Sequence, residues 1–279
     1  MQSIERIILT QSHRFALKTD HTALFEAGAV DAVIISDIHL GSNLCQAKKL
    51  AEFLERILTG LFPTKQLILN GDVFDSIDFR RLQKSHWKIL SLLRKLSDKI
   101  SITWVCGNHD GPAEIISHLL GVSVKEEHTF SSGGNSFLVL HGHVFDDFIE
   151  DHRTITAIAD ALYNILQKID KTHRFAKFAK TNSKIFLRCT QKIRERSLSF
   201  AAGRRYDVVC CGHTHHAELC FSGDLQYCNS GCWTESPCTY LTIQEGMVGL
   251  HPFLTLGDTI NIIDETSSGD LIELPNFTN

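Results

Sequence analysis

The sequence predicts an α/β sandwich, and three observations predict it. Five short apolar runs read as strands: 32–35, 67–69, 102–105, 137–140 and 208–211. Amphipathic helical periodicity lies between the first three of them. Each run is followed by a block of metal-ligand residue types: SDIHLG (36–41), NGDVFD (70–75), GNHD (107–110), HGH (141–143) and CGHTHH (211–216). The ends of several strands are where an α/β sandwich places its site.

Residues 1–30 form a lead-in whose apolar stretch, Ile7 to Leu9, reads as an edge strand in a hairpin. After the first block, Leu50, Phe53, Leu54, Ile57 and Leu58 recur at i, i+3, i+4, i+7 and i+8. That is the spacing of a helix with one buried face, ending before Pro63. A second amphipathic helix carries Leu82, Leu90, Leu93 and Leu96. Residues 152–205 are helical in pattern and hold neither Pro nor Gly before Gly203. Beyond the last block, short strands with Gly and Asn turns run to about Ile263, with a hairpin around Gly223-Asp224. The domain is therefore expected over 31–265, with 152–205 as an insertion and 266–279 as a weakly ordered tail.

With 279 residues, 43% of them hydrophobic, the chain can bury a core of its own. No run approaches the about 18 apolar residues of a spanning helix, and the first residues lack a signal peptide's basic-then-apolar layout. A cytoplasmic protein is expected. Nine cysteines is an odd number, and Cys106, Cys210 and Cys211 sit in apolar strand runs, which speaks against a disulfide framework. Cys220, Cys228, Cys232 and Cys238 lack the paired spacing of a structural zinc site and read as small buried thiols.

The insertion is lopsided in charge. It holds thirteen Lys and Arg against Asp160, Asp170 and Glu195, a net +10 in a chain whose total is −4. Lys177, Lys180, Lys184, Arg188 and Lys192 recur at three- and four-residue steps, one stripe of a helix, with Phe175, Phe178, Ile185, Phe186 and Leu187 between them. A solvated helical cap is the plain reading. A lid that pairs its cations with phosphates, or a patch for anionic lipid headgroups, explains the asymmetry better. Lys177, Lys180, Lys184 and Arg188 are the candidate substrate contacts.

The five blocks supply the carboxylate, amide and imidazole donors that two neighbouring divalent ions need. One ion is assigned to Asp37, His39 and His215, the other to Asn108, His141 and His213, with Asp72 bridging. If the strands run on, the D-x-H and H-x-H spacings put each pair on one face. Gly71, Gly107, Gly142 and Gly212 sit beside the ligands, where close backbone approach leaves no room for a Cβ.

These blocks, read as D-x-H, G-D-x-x-D, G-N-H-[DE], H and G-H-x-H over residues 31–243, resemble the calcineurin-like metallophosphoesterase superfamily. The resemblance implies a four-layer αββα sandwich and a binuclear centre, manganese first, with iron, zinc or magnesium as alternatives. It also implies that His109 is a catalytic histidine held by Asp75, not a ligand. Within the superfamily, RRYDVVCCGHTHHAEL, the hairpin after it and YCNSGCWTESPCTYL resemble the UDP-2,3-diacylglucosamine pyrophosphatases of lipid A biosynthesis. The best-known members of that family carry Arg where this chain has His109 and Asp where it has His143. The implied activity is metal-dependent hydrolysis of UDP-2,3-diacylglucosamine to UMP and the acyl-sugar phosphate, at the inner membrane face. A phosphodiesterase or phosphatase acting on a soluble nucleotide or another phospholipid is the alternative. A nucleic-acid partner is not expected, because Tyr163 and the four Phe residues of the insertion are few for a stacking platform. A non-catalytic scaffold has no need of a filled ligand set.

Overall fold

The computed structural model describes residues 28–111, 113–146 and 184–255. The lead-in up to residue 27, the insertion from 152 to 183 with Lys177 and Lys180, the strand signal beyond 255 and the tail lie outside the described residues. Along the chain the strands are β1 (Ala32–Ile35), β2 (Gln66–Asn70), β3 (Ser101–Val105), β4 (Ser123–Lys125), β5 (Glu127–Ser132) and β6 (Asn135–Leu140). They continue with β7 (Val208–Cys211), β8 (Glu218–Ser222), β9 (Leu225–Asn229), β10 (Thr239–Gln244) and β11 (Met247–Pro252). The helices are α1 (Ala47–Leu58), α2 (Lys84–Ser97), α3 (Ala113–Leu120) and α4 (Lys184–Gly203). All five predicted runs lie in strands. The sequence reading missed β4, β5 and α3.

The strands form two sheets, ordered β11-β10-β1-β2-β3-β4 and β5-β6-β7-β9-β8. β1 to β4 are mutually parallel, as are β6, β7 and β9; antiparallel strands close the β11 edge of the first sheet and both edges of the second. Side-chain alternation along β1 shows the layering. Ala32 and Ile34 join Phe137, Val139, Val208 and Cys210 between the sheets. Val33 and Ile35 face the other way, into a cluster with Leu50, Leu54, Ile89 and Leu93 of α1 and α2. On the far side, Leu138, Val209 and Tyr227 pack with Ala201 of α4. The order is helix, sheet, sheet, helix, the expected αββα sandwich.

Helix α1 keeps the predicted stripe: Leu50, Phe53, Leu54 and Ile57 are buried. The Phe53 ring meets those of Trp233, Tyr240 and Phe253 at 5.2, 4.9 and 5.4 Å, tying α1 to the segment after β9. Leu90, Leu93 and Leu96 line the buried face of α2, but Leu82 precedes the helix, whose N-cap is Gln83. His86 explains that start. Its Nδ1 accepts the backbone N–H of Gln83 at 3.1 Å and of Gly41 at 3.2 Å, fixing the helix to the loop after β1. Gly223-Asp224 turns the β8–β9 hairpin as read from sequence. Among the described residues no helix is long and apolar enough to cross a membrane.

Candidate metal centre

The ligand blocks begin where their strands stop. β1 ends at Ile35 and β7 at Cys211, so strand alternation does not align Asp37 with His39 or His213 with His215, contrary to the expectation from spacing. Left-handed backbone does. Asp37 and His39 have φ of 53°, Asp72 51°, His213 64° and His215 57°. Non-glycine residues held there cost on the order of 1–3 kcal/mol each and persist only where surroundings impose them. Ladder bonds impose them here: Ile38 and His39 both donate backbone N–H to the Asp72 carbonyl at 2.9 Å, and Asp37 donates to that of Gly71 at 3.1 Å. A Cβ on Gly71 would lie 2.2 Å from the His141 Nδ1, and one on Gly107 2.2 Å from the Asp72 Oδ1.

The side chains converge in two groups, Asp37 with His39 and His215, and Asp72 with His141 and His213. In each group the ligand atoms lie within 4.8 Å of one another. The His215 Nε2 is 3.2 Å from the Asp37 Oδ1 and 3.3 Å from the His39 Nε2. The Asp72 Oδ2 stands between the groups, 3.3 Å from the His141 Nε2 and 3.7 Å from the His39 Nε2. The His141 Nε2 and the Asp37 Oδ1 face each other at 4.0 Å, and both are buried without a hydrogen-bond partner. Buried polar atoms without partners are rare, and a divalent cation is what a carboxylate oxygen and an imidazole nitrogen can share. The donor set fits the expected pair of ions.

Electrostatics point the same way. Burial pushes the Asp37 carboxyl up, but His215 and His141 outweigh it and hold it at about 2. Burial likewise opposes charge on His141 and His215. Asp72 and Asp37 nevertheless raise His141 to about 9, and Asp37 with Cys232 raises His215 to about 10. His143 goes the other way, down to about 4, through burial and the positive potential of His141 and His213. The buried carboxylates thus create a demand for positive charge where the ligands meet.

His109 and Asn108 are exposed beside this cluster. The His109 ring lies 5.2 Å from that of His39, and its backbone N–H donates to the Asp72 Oδ1 at 3.0 Å. Its Nδ1 contacts the Asp75 backbone carbonyl at 3.1 Å, not the carboxylate. The expected Asp75–His109 pairing is thus corrected: the Asp75 carboxylate bonds Arg81 at 2.5 Å and faces the His39 Nδ1 at 3.5 Å. Three supporting residues escaped sequence reading. Asp146 meets the His213 Nε2 at 3.0 Å. Asp110, the last letter of GNHD, accepts N–H from Asp72, Val73, Phe74, Gly107 and the Trp104 ring. Asn229 donates to the Gly212 carbonyl and the Thr214 hydroxyl, steadying the GHTH loop. Their motifs hinted at them, but a carboxylate that binds backbone has no spacing signature.

Of the candidate lid residues, Lys184 opens α4 and Arg188 is exposed on it. Part of the insertion's charge is structural: Arg194 bonds Glu218, Arg196 donates to the Phe145 carbonyl, and Arg204 pairs with Glu127 at 2.6 Å. Of the four clustered cysteines, Cys228, Cys232 and Cys238 are buried, and Cys232 joins His215 and Glu235 in a third group of metal-ligating atoms.

Among solved structures the chain is similar to an archaeal phosphodiesterase, 14% identical over 79% of this chain and 98% of that one, TM-score 0.42. It is similar to a predicted phosphoesterase from Streptococcus pneumoniae, 16% identical over 80% and 97%, TM-score 0.37. Pseudomonas putida nuclease MPE is 27% identical over 34% of this chain and 46% of that one, TM-score 0.27. A search of curated proteins finds no match. The family model described as the calcineurin-like phosphoesterase superfamily domain matches residues 30–245. With its ligand blocks, its αββα layers and that match in agreement, the chain belongs to the calcineurin-like phosphoesterase superfamily.

Proposed function

We propose that the protein is a binuclear metal-dependent phosphohydrolase that cleaves a phosphoanhydride, with UDP-2,3-diacylglucosamine, split to UMP and 2,3-diacylglucosamine 1-phosphate, as its first candidate substrate. The observation that carries the reaction class is the unpartnered pair of buried ligand atoms, the Asp37 Oδ1 and the His141 Nε2, where the two groups meet. Asp37, His39 and His215 would hold one cation and Asn108, His141 and His213 the other, with Asp72 available to both. Two bound divalent ions supply Lewis acidity and an activated water. Manganese suits the mixed carboxylate, amide and imidazole donors.

The protein's own part is positioning and proton delivery. A backbone carbonyl only accepts, so the Asp75 carbonyl keeps the proton on the His109 Nδ1 and leaves Nε2 to face the leaving oxygen. As an imidazolium, His109 donates the Nε2 proton to that oxygen. Asp75 and Arg81 hold the His39 ring in place from behind.

The substrate rests on the resemblance of the GHTHHAEL and GCWTES segments and on the basic, apolar insertion, where Leu187 and Arg188 stand exposed side by side on α4. Contact with an anionic membrane at the inner face follows from the same charges. A second reading, a soluble nucleotide phosphodiester, is favoured by His109 standing where the lipid-specific family carries Arg.

Manganese-reconstituted protein assayed in parallel on UDP-2,3-diacylglucosamine in mixed micelles, a small chromogenic diester and single-stranded DNA separates these readings. Replacing Lys177, Lys180, Lys184 and Lys192 with Gln should lower kcat/KM sharply on the micellar substrate and little on the small diester. Equal turnover of the diester with none of the lipid would discard the lipid substrate. DNA cleavage alone would make the protein a nuclease.

A further inference from the structure

The four ligand histidines are braced differently. The His39 Nδ1 has the Asp75 carboxylate at 3.5 Å, the His141 Nδ1 the Asn70 carbonyl at 2.8 Å, and the His213 Nε2 the Asp146 carboxylate at 3.0 Å. His215 is braced by one short segment. The Thr234 hydroxyl lies 3.4 Å from its Nδ1. Cys232, Glu235 and His215 bring one ligand atom each within 4.8 Å of one another.

That segment is locked. Trp233 donates its backbone N–H to the Asp37 carbonyl at 3.0 Å and accepts that of Gln46 at 2.8 Å. Its indole is fully buried against Phe53 and Phe253. Gly231, at φ +74°, passes so close to Thr239 that a Cβ would lie 2.1 Å from its hydroxyl. Cys232, only 4% exposed, is therefore carried into a fixed place by the neighbours on both sides.

We propose that Cys232, with Glu235 beside it, is a positioning residue for His215, holding the ring so that Nε2 faces Asp37 and His39 and setting how tightly that half of the centre grips its cation. The proposal rests on the binuclear reading above. Geometry separates this role from direct ligation. Cys232 groups with His215 and Glu235 but not with Asp37 and His39, while the His215 Nε2 is already turned to Asp37 at 3.2 Å. Cys232 thus lies beside the ring, outside the group that Asp37 and His39 form with it. Partners of this kind fix the tautomer and orientation of a ligating histidine, and losing one costs about 10- to 100-fold in metal affinity or activity.

The test is cobalt(II) titration of metal-stripped protein, followed by visible absorption and calorimetry. Wild-type protein should show two binding events. Cys232→Ala should weaken one of them about 10- to 100-fold and leave the other unchanged. Cys232→Ser, which keeps a hydrogen-bonding atom, should recover most of the loss, and Glu235→Gln should weaken the same event. Two unchanged events in Cys232→Ala would overturn the proposal alone. So would equal weakening of both events, the mark of general packing damage. A zinc–sulfur distance of about 2.3 Å in X-ray absorption of the zinc form would make Cys232 a ligand and overturn the positioning role. Wild-type protein that binds no metal would overturn the binuclear reading and, with it, this proposal.

Discussion

Asp72 and His109 meet through one hydrogen bond, yet the chemistry asks opposite things of them. Asp72 turns Oδ2 toward His141 and His39 and Oδ1 to the His109 N–H, so a single carboxylate serves both halves of the centre. Asp72→Ala is expected to abolish turnover together with at least one equivalent of bound metal. His109 contributes its backbone to that arrangement and, in the proposed mechanism, its ring to the substrate. His109→Ala keeps the backbone bond, so both metals should stay while turnover falls by about 10²- to 10⁴-fold, the range for a lost general acid. Metal content by atomic absorption beside kcat on the small diester decides it. Loss of metal from His109→Ala would make that ring a ligand.

Loops, rather than regular elements, carry the site, and Asp110 is what makes two of them one unit. Its carboxylate gathers three backbone N–H groups after β2, one after β3 and the Trp104 indole, four of the five bonds buried. A buried donor left unpaired costs about 1–3 kcal/mol. Asp110→Ala should therefore lower unfolding free energy by at least about 3 kcal/mol and release metal as the Asp72 turn relaxes. Urea unfolding with an unchanged m-value measures the first, and a wild-type midpoint would show that the clamp carries no stability. Helix α4 works the same way at larger reach. Arg194, Arg196 and Arg204 tie it to β8, to the turn after β6 and to β5. A solvated cap does not use its cations so.

For the whole molecule, the buried charges make stability depend on pH and metal together. In metal-stripped protein, His141 at about 9 and His215 at about 10 lie above their ordinary 6.5. Their contribution is complete below pH 6.5 and disappears as pH rises through 9 to 10. Asp37, at about 2 against an ordinary 3.8, contributes above pH 3.8 and loses that contribution as pH falls toward 2. His143, held down at about 4, loses its contribution as pH falls from 6.5 toward 4, so the stripped protein should be most stable near pH 6.5. Bound divalent cations need neutral imidazoles and supply the positive charge themselves, which removes the alkaline loss. Melting temperature should thus fall from pH 6.5 to 9 in stripped protein and hold steady after manganese is added. Parallel alkaline losses in both forms would refute the linkage.

Sequence by itself determined the strands that carry the site, the residue types that meet there and the layered α/β class, because apolar period and ligand spacing are local properties. Leu67–Leu69 and NGDVFD announce both β2 and Asp72 without reference to anything distant. Tertiary structure decided how those ligands are aimed. The left-handed turns at Asp37, His39 and Asp72 are held because the loops after β1 and β2 hydrogen-bond to each other, and His213 reaches over from the other sheet to donate its N–H to the Asp37 carboxylate. It also decided which partner faces which ring: Asp75 turns its carboxylate to His39 and only its carbonyl to His109, while Cys232, read as a small buried thiol, comes within 4.8 Å of His215. Such pairings join residues up to 71 positions apart, as His141 with Asn70, and they are set by packing, whose geometry no local spacing records.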